Sequence, residues 1–183
     1  LAEVASTFNE SLLLEHLIKT STTRDEKLML MEKYLNSVTA TFYRQTMFAE
    51  FEKIAYARVE AGEALTATEL RILFKELYSK YWGPAMNVDD EEEYTWARIP
   101  HFYYNFYVYQ YATGMAASEA LVGLVKRDGQ PAVDRYLGFL KAGKSKYSID
   151  ILKDAGVDMT QPQAVKAVID KMSLILDEME GLL

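Results

Sequence analysis

The chain has 183 residues, 50% of them hydrophobic and 26% charged, with a formal charge of −7 and a sequence pI near 5.0. That composition supports a buried core and excludes a disordered or collagen-like polymer, and the absence of Cys excludes a disulfide scaffold, a Cys-ligated zinc site and a thiol nucleophile. The acidic balance argues against nucleic acid as a partner, because phosphates demand a basic face, and two His, His16 and His101, cannot complete a multi-histidine metal site.

Helical periodicity dominates. From Glu3 to about Ile18 the apolar residues Ala5, Phe8, Leu12, Leu13 and Leu17 recur at three- and four-residue steps and predict a first helix. Thr20–Thr23 reads as a turn, with Thr22 or Thr23 as the N-cap of one long helix over Arg24–Arg58. That helix has no Pro or Gly and carries a core stripe of Leu28, Met31, Leu35, Val38 and Phe42. Gly62 closes it. Thr66 and Glu69 form a capping box for a helix to about Trp82, which Gly83-Pro84 stops. Asn87–Glu93 reads as an acidic surface loop. Between Ile99 and Val125 the only charged residue is Glu119, and seven aromatics crowd the first half. Such a segment, apolar around its circumference, predicts a central buried helix. Ser118 and Glu119 interrupt the longest apolar stretch, Ala112–Val125, so it falls short of the ~18 residues of a membrane span. Shorter helices are expected near Pro131–Lys141, Ser148–Ala155 and Pro162–Glu180. The fold class is all-α, with one long helix and one buried Tyr-rich helix, in a single piece over residues 1–183.

Glu3 and Glu10, two helical turns apart, share one side of the first helix, with Ser6 and Thr7 beside them. Spacing alone makes this a solvated face; its functional alternative is a metal-binding or acid–base carboxylate face. The Glu-x-x-His pairs of a dimetal bundle and the His-Glu-x-x-His helix of a zinc protease are both absent. His101 follows Pro100 at the entrance of the aromatic segment, and Tyr104, Tyr107 and Tyr111 follow at steps of three and four. Five tyrosines lie within the nine residues 103–111. Burying that many hydroxyls requires a partner for each, at about 1–3 kcal/mol for any left without one. Tyrosines lining a wet cleft need no such partners, and a neutral phenol donates well to a carbonyl or an oxyanion. The cleft reading is therefore preferred for His101, Tyr107 and Tyr111. Arg44 and Gln45 are candidates for groups supporting a site.

Four strings carry a resemblance. Ala2-Glu-Val-Ala-Ser-Thr-Phe-Asn-Glu10, Thr41–Glu52, Trp96–Gly114 and Leu152–Met159 resemble, in this order, the oligoendopeptidase F family of thimet-oligopeptidase-like zinc metallopeptidases. The resemblance covers essentially the whole chain. It implies that Glu3 is a zinc ligand, that His101 binds the substrate backbone, and that Tyr107 and Tyr111 reach into the cleft, Tyr111 as oxyanion donor. It further implies an oligopeptide substrate, one zinc ion in a longer parent and a cytoplasmic setting. The family's His-Glu-x-x-His helix, with two zinc ligands and the general base, is not in this sequence. Gly114 stands where the mammalian-type branch has a further tyrosine, and Ser148 where a proline is expected. The chain opens Leu1-Ala2-Glu3 with neither Met nor a secretory leader, and a C-terminal fragment of a catalytic domain is expected. Alone it is expected to hold no zinc and cleave nothing, with its missing N-terminal part as natural partner, no membrane or nucleic-acid partner, and surfaces suited to a homodimer. The alternative reading is a stand-alone helical interaction module without catalysis.

Overall fold

The computed structural model describes residues 2–183. The helices are α1 (Ala2–Thr20), α2 (Arg24–Val38), α3 (Arg44–Glu60), α4 (Ala67–Trp82), α5 (Tyr109–Asp128), α6 (Gln130–Ala142), α7 (Ser148–Asp154) and α8 (Gln163–Leu182). A π-helical segment (Thr39–Tyr43) separates α2 from α3, and two 3-10 segments (Asp90–Arg98 and Pro100–Tyr104) precede α5. Among the described residues there is no strand, so the all-α class holds, and no helix is long and apolar enough to cross a membrane.

The chain divides into two compact units. The first comprises the chain through Phe42 together with Thr113–Leu183; the second is Tyr43–Ala112. In the first, α1 and α8 both pack on α2, and α6 packs on α7. Its core holds Val4, Phe8 and Ile18 from α1, Met31, Tyr34 and Val38 from α2, Leu121 and Val122 from α5, and Val168 from α8. The inward stripe of α1 differs from the predicted one: Leu13 and Leu17 are exposed, while Ser11 is buried. Ser11 is held inward by charged partners, the buried Glu119 of α5 and the half-buried Lys171 of α8. The Phe8 ring stacks on Tyr136 of α6 at 3.8 Å between centroids.

The second unit is built on α3 and α4, with the Asp90–Arg98 segment laid along α4. Met47, Phe48, Phe51, Phe74, Leu77, Tyr78 and Val108 form its core, flanked by half-buried Trp82, Trp96 and Phe102. Edge-to-face contacts of Phe51 with Phe74 (5.3 Å) and of Phe48 with Phe102 (5.4 Å) order this aromatic interior. The acidic run is not a plain loop. Asp90 pairs with Lys75 at 2.6 Å and Glu93 with Arg71 at 3.2 Å, which ties the 3-10 segment to α4.

The predicted single helix over Arg24–Arg58 is interrupted at Thr39–Tyr43, where β-branched Val38, Thr39 and Thr41 cluster and weaken the preference for α geometry. The buried Tyr-rich helix also needs correction. The backbone from Pro100 to Val108 is 3-10 and irregular, Asn105 and Phe106 take positive φ (48° and 54°), and α5 begins only at Tyr109. Tyr103 and Tyr104 are 79% and 64% exposed. Pro100 opens a separate 3-10 turn, the left-handed pair breaks that turn from α5, and the Tyr103 and Tyr104 phenols face solvent. The buried half of the expected helix is its later part, from Ala112 to Val122.

The capping box at α4 forms as predicted. The Thr66 hydroxyl accepts from the Glu69 N–H at 3.3 Å, and the Glu69 carboxylate accepts from the Thr66 N–H at 2.8 Å. Thr66→Ala is expected to lower the stability of the second unit by about 1 kcal/mol. Urea denaturation compared with Thr66→Ser checks it, the serine variant remaining near wild type.

Candidate functional site

Glu3 lies exposed in the first turn of α1. The Ser6 hydroxyl donates to its carbonyl at 3.0 Å and lies 3.3 Å from its carboxylate Oε2, while Thr7 donates to the same carbonyl at 2.7 Å. Ser6 is thus the residue that reaches the Glu3 carboxylate itself. Glu10 is also exposed. Among the described residues no three His, Asp or Glu side chains come together as a metal site. A catalytic zinc takes three protein ligands, so this chain alone does not fit the ion. Glu3 offers a single hard oxygen donor.

In the second unit, Pro100 starts the 3-10 turn that carries His101, and the Asn105–Phe106 turn returns the chain so that Tyr107 and Tyr111 meet it. The imidazole stacks on Tyr107 at 5.8 Å between centroids and meets Tyr111 edge-on at 5.9 Å; Tyr107 and Tyr111 are 5.6 Å apart. Tyr104 closes the group at 6.3 Å from His101. The three residues singled out from the sequence are brought together, on a turn rather than a continuous helix. His101 also lines a cleft of about 370 Å³ with Arg44, Gln45, Glu92 and Arg98. The cleft thus presents an imidazole and two guanidinium groups beside the Glu92 carboxylate, and the three phenols stand against the imidazole, polar chemistry suited to peptide groups.

Two residues of α3 that the sequence assigned only to helix packing or to the surface hold the turn beside this group. Glu52 of α3, 3% exposed, accepts from the Phe106 N–H at 2.6 Å. Burial pushes its carboxyl above the usual range, and the hydrogen bond from Phe106 opposes that shift. Tyr56, one turn on, donates to Asn105 Oδ1 at 2.9 Å and packs its ring 4.6 Å from Phe106. Helical periodicity cannot announce a carboxylate facing inward.

The first unit holds a second unannounced group. Lys171 of α8 sits 2.9 Å from Glu119 and 3.0 Å from Glu15, over the Tyr34 ring at 4.8 Å. Ser11 donates to Glu119 at 3.1 Å, and Lys126 binds Glu15 at 2.8 Å. Burial would raise the Glu15 pKa, but Lys126 and Lys171 outweigh it and hold that carboxyl below its ordinary value. Burial, reinforced by the Glu119 charge, pushes the Tyr34 phenol well above its own.

The profile of Peptidase family M3 matches residues 1–170. This chain belongs to that family. Oligopeptidase PepF of Bacillus subtilis is 49% identical over 182 residues, which are 100% of this chain and 27% of the relative. The plasmid oligoendopeptidase F of Lactococcus lactis subsp. cremoris is 43% identical, again over 100% of this chain and 30% of the relative. The crystal structure of oligoendopeptidase-F from Enterococcus faecium superposes with a TM-score of 0.95 at 41% identity, covering 99% of this chain and 35% of that one. The chain therefore spans about a third or less of the length of these relatives. At the departure noted from the sequence, a Cβ added to Gly114 would meet Val4 Cγ2 at 4.0 Å, an ordinary contact, so crowding at Cβ does not demand this glycine.

Proposed function

We propose that this chain is part of the catalytic region of a zinc-dependent oligoendopeptidase that hydrolyses internal bonds of short peptides. The observation that carries this reading is the end-to-end match to M3 oligoendopeptidases. The grouping of His101, Tyr107 and Tyr111 on one wall agrees with it. Glu3 supplies one carboxylate ligand, held by Ser6, and the remaining ligands and the general base come from outside this chain. Zinc, when bound, polarises a scissile carbonyl and activates water. The chain's own part is to bind and orient. His101 donates to the peptide backbone beside the scissile bond, Tyr111 donates to the oxygen on which negative charge develops, and Tyr107 flanks the substrate and backs the imidazole. Preorganised donors of this kind stabilise charge without reorganising during the reaction. The cytoplasm is the proposed compartment, in line with the family resemblance and a Cys-free sequence.

The test is a zinc titration of the complete parent polypeptide against a quenched fluorescent oligopeptide, beside the same assay on this chain. Turnover that needs zinc, in the parent only, is expected. Chelator-sensitive cleavage by the 183-residue chain itself, or a parent with no turnover, overturns the reading; the second outcome favours a non-catalytic interaction module.

A further inference from the structure

A buried carboxylate ordinarily has a cation opposite it. Glu52 has none: its single partner among the described residues is a main-chain N–H, that of Phe106, 54 residues away. Phe106 and its neighbour Asn105 are the two non-glycine residues of the described chain with positive φ. For a bulky aromatic residue, that conformation persists only when its surroundings over-determine it. Here they do so on three counts. Glu52 Oε1 fixes the Phe106 amide at 2.6 Å, Tyr56 fixes the Asn105 side chain at 2.9 Å, and the Tyr56 ring covers the Phe106 ring. Both latch residues lie on α3, whose neighbours Phe48 and Phe51 are packed in the core, so the latch is mounted on a rigid element. On the chain before the turn stand His101 and Tyr104; after it stand Tyr107 and Tyr111. The turn is what folds one pair back onto the other.

We propose that Glu52 and Tyr56 are positioning residues. They latch the left-handed Asn105–Phe106 turn and thereby set the spacing of His101 from Tyr107 and Tyr111. The catalytic consequence rests on the peptidase reading; the latch itself does not. Each acts through the turn rather than by touching substrate.

Two measurements separate the parts. In this chain, amide hydrogen exchange at Phe106 is expected to quicken at least ~10-fold in Glu52→Ala and in Tyr56→Phe, with amides in the middle of α4 unchanged. Glu52→Gln, which keeps an acceptor oxygen, is expected to retain most of the protection. In the complete peptidase, Glu52→Ala and Tyr56→Phe are expected to lower kcat more than they raise KM at unchanged zinc content, with Glu52→Gln restoring most of the loss. Tyr56→Phe and Glu52→Gln, both nearly isosteric, keep the test valid if the alanine variant does not fold. Unchanged Phe106 exchange in Tyr56→Phe and Glu52→Ala overturns the latch. Quickened exchange with undiminished kcat overturns its positioning role while leaving the peptidase reading intact. A wild-type parent without turnover overturns the peptidase reading alone, because the exchange result still decides the latch.

Discussion

In the complete peptidase, Tyr111→Phe is expected to lower kcat by about 10²–10³ while leaving KM little changed, the signature of a donor that acts mainly in the transition state. The substitution is narrow. It removes one hydroxyl and keeps the ring that meets His101 at 5.9 Å and Tyr107 at 5.6 Å, so the wall keeps its packing. Tyr107→Phe serves as the comparison. Tyr107 stacks face-on against the imidazole, and losing its hydroxyl is expected to cost far less. On the proposed reading, in which the imidazole donates to peptide backbone in ground and transition states alike, His101→Ala is expected to raise KM as well. Unchanged kcat in Tyr111→Phe, measured at saturating peptide, would remove Tyr111 from the oxyanion role and leave His101 as the remaining donor.

The largest expected loss of stability is at Lys171. Lys171→Met removes the cation shared by Glu119 and Glu15 and leaves Glu119, 5% exposed, facing Ser11 without a countercharge. Breaking a buried pair on one side typically costs about 3–5 kcal/mol, and urea denaturation followed by circular dichroism reads it directly. Adding Glu119→Gln should return part of the loss, since the unpaired buried charge is then gone. The same group predicts acid lability. The folded-state pKa of Glu15 lies below its ordinary value of 4.5, so its contribution is complete above that value. It shrinks as the pH falls below 4.5 and vanishes below the depressed folded value. Wild-type stability should therefore decline on acidification through this range, and Lys171→Met should flatten the decline. An equally steep decline in the variant would show that Glu15 owes its depression to Lys126 alone.

The parts of the fold that the sequence announced are those with local chemical punctuation. Thr66 and Glu69 marked the start of α4 and Gly83 its end; Gln130-Pro131 and Pro162 marked the starts of α6 and α8. What it concealed was decided by distant partners. Ser11 looks like a surface residue until Glu119 and Lys171 arrive from 108 and 160 residues away. The break at Asn105–Phe106 carries no Gly or Pro, and Glu52 and Tyr56 sit too far along the chain for any local pattern to reveal what they hold. The candidate site was legible in another sense. The spacing of Tyr104, Tyr107 and Tyr111 predicted one helical face behind His101, and their rings do meet the imidazole, but a left-handed turn brings them together. The chemistry of five crowded phenols, which favour water over an apolar interior, proved a better guide than periodicity.

Both tryptophans of the chain, Trp82 at the end of α4 and Trp96 in the Asp90–Arg98 segment, fall within the second unit. Nature has thus placed an indole pair solely in the unit that carries His101, Tyr107 and Tyr111, and the first unit has only tyrosine and phenylalanine chromophores. Emission excited where indole alone absorbs is a private channel to that unit, whereas far-ultraviolet dichroism sums the helices of both. Coincident denaturation curves from the two probes would mean that the whole chain melts as a single cooperative body. Divergent curves would assign each midpoint to its own unit without a label, a tag or a truncated protein.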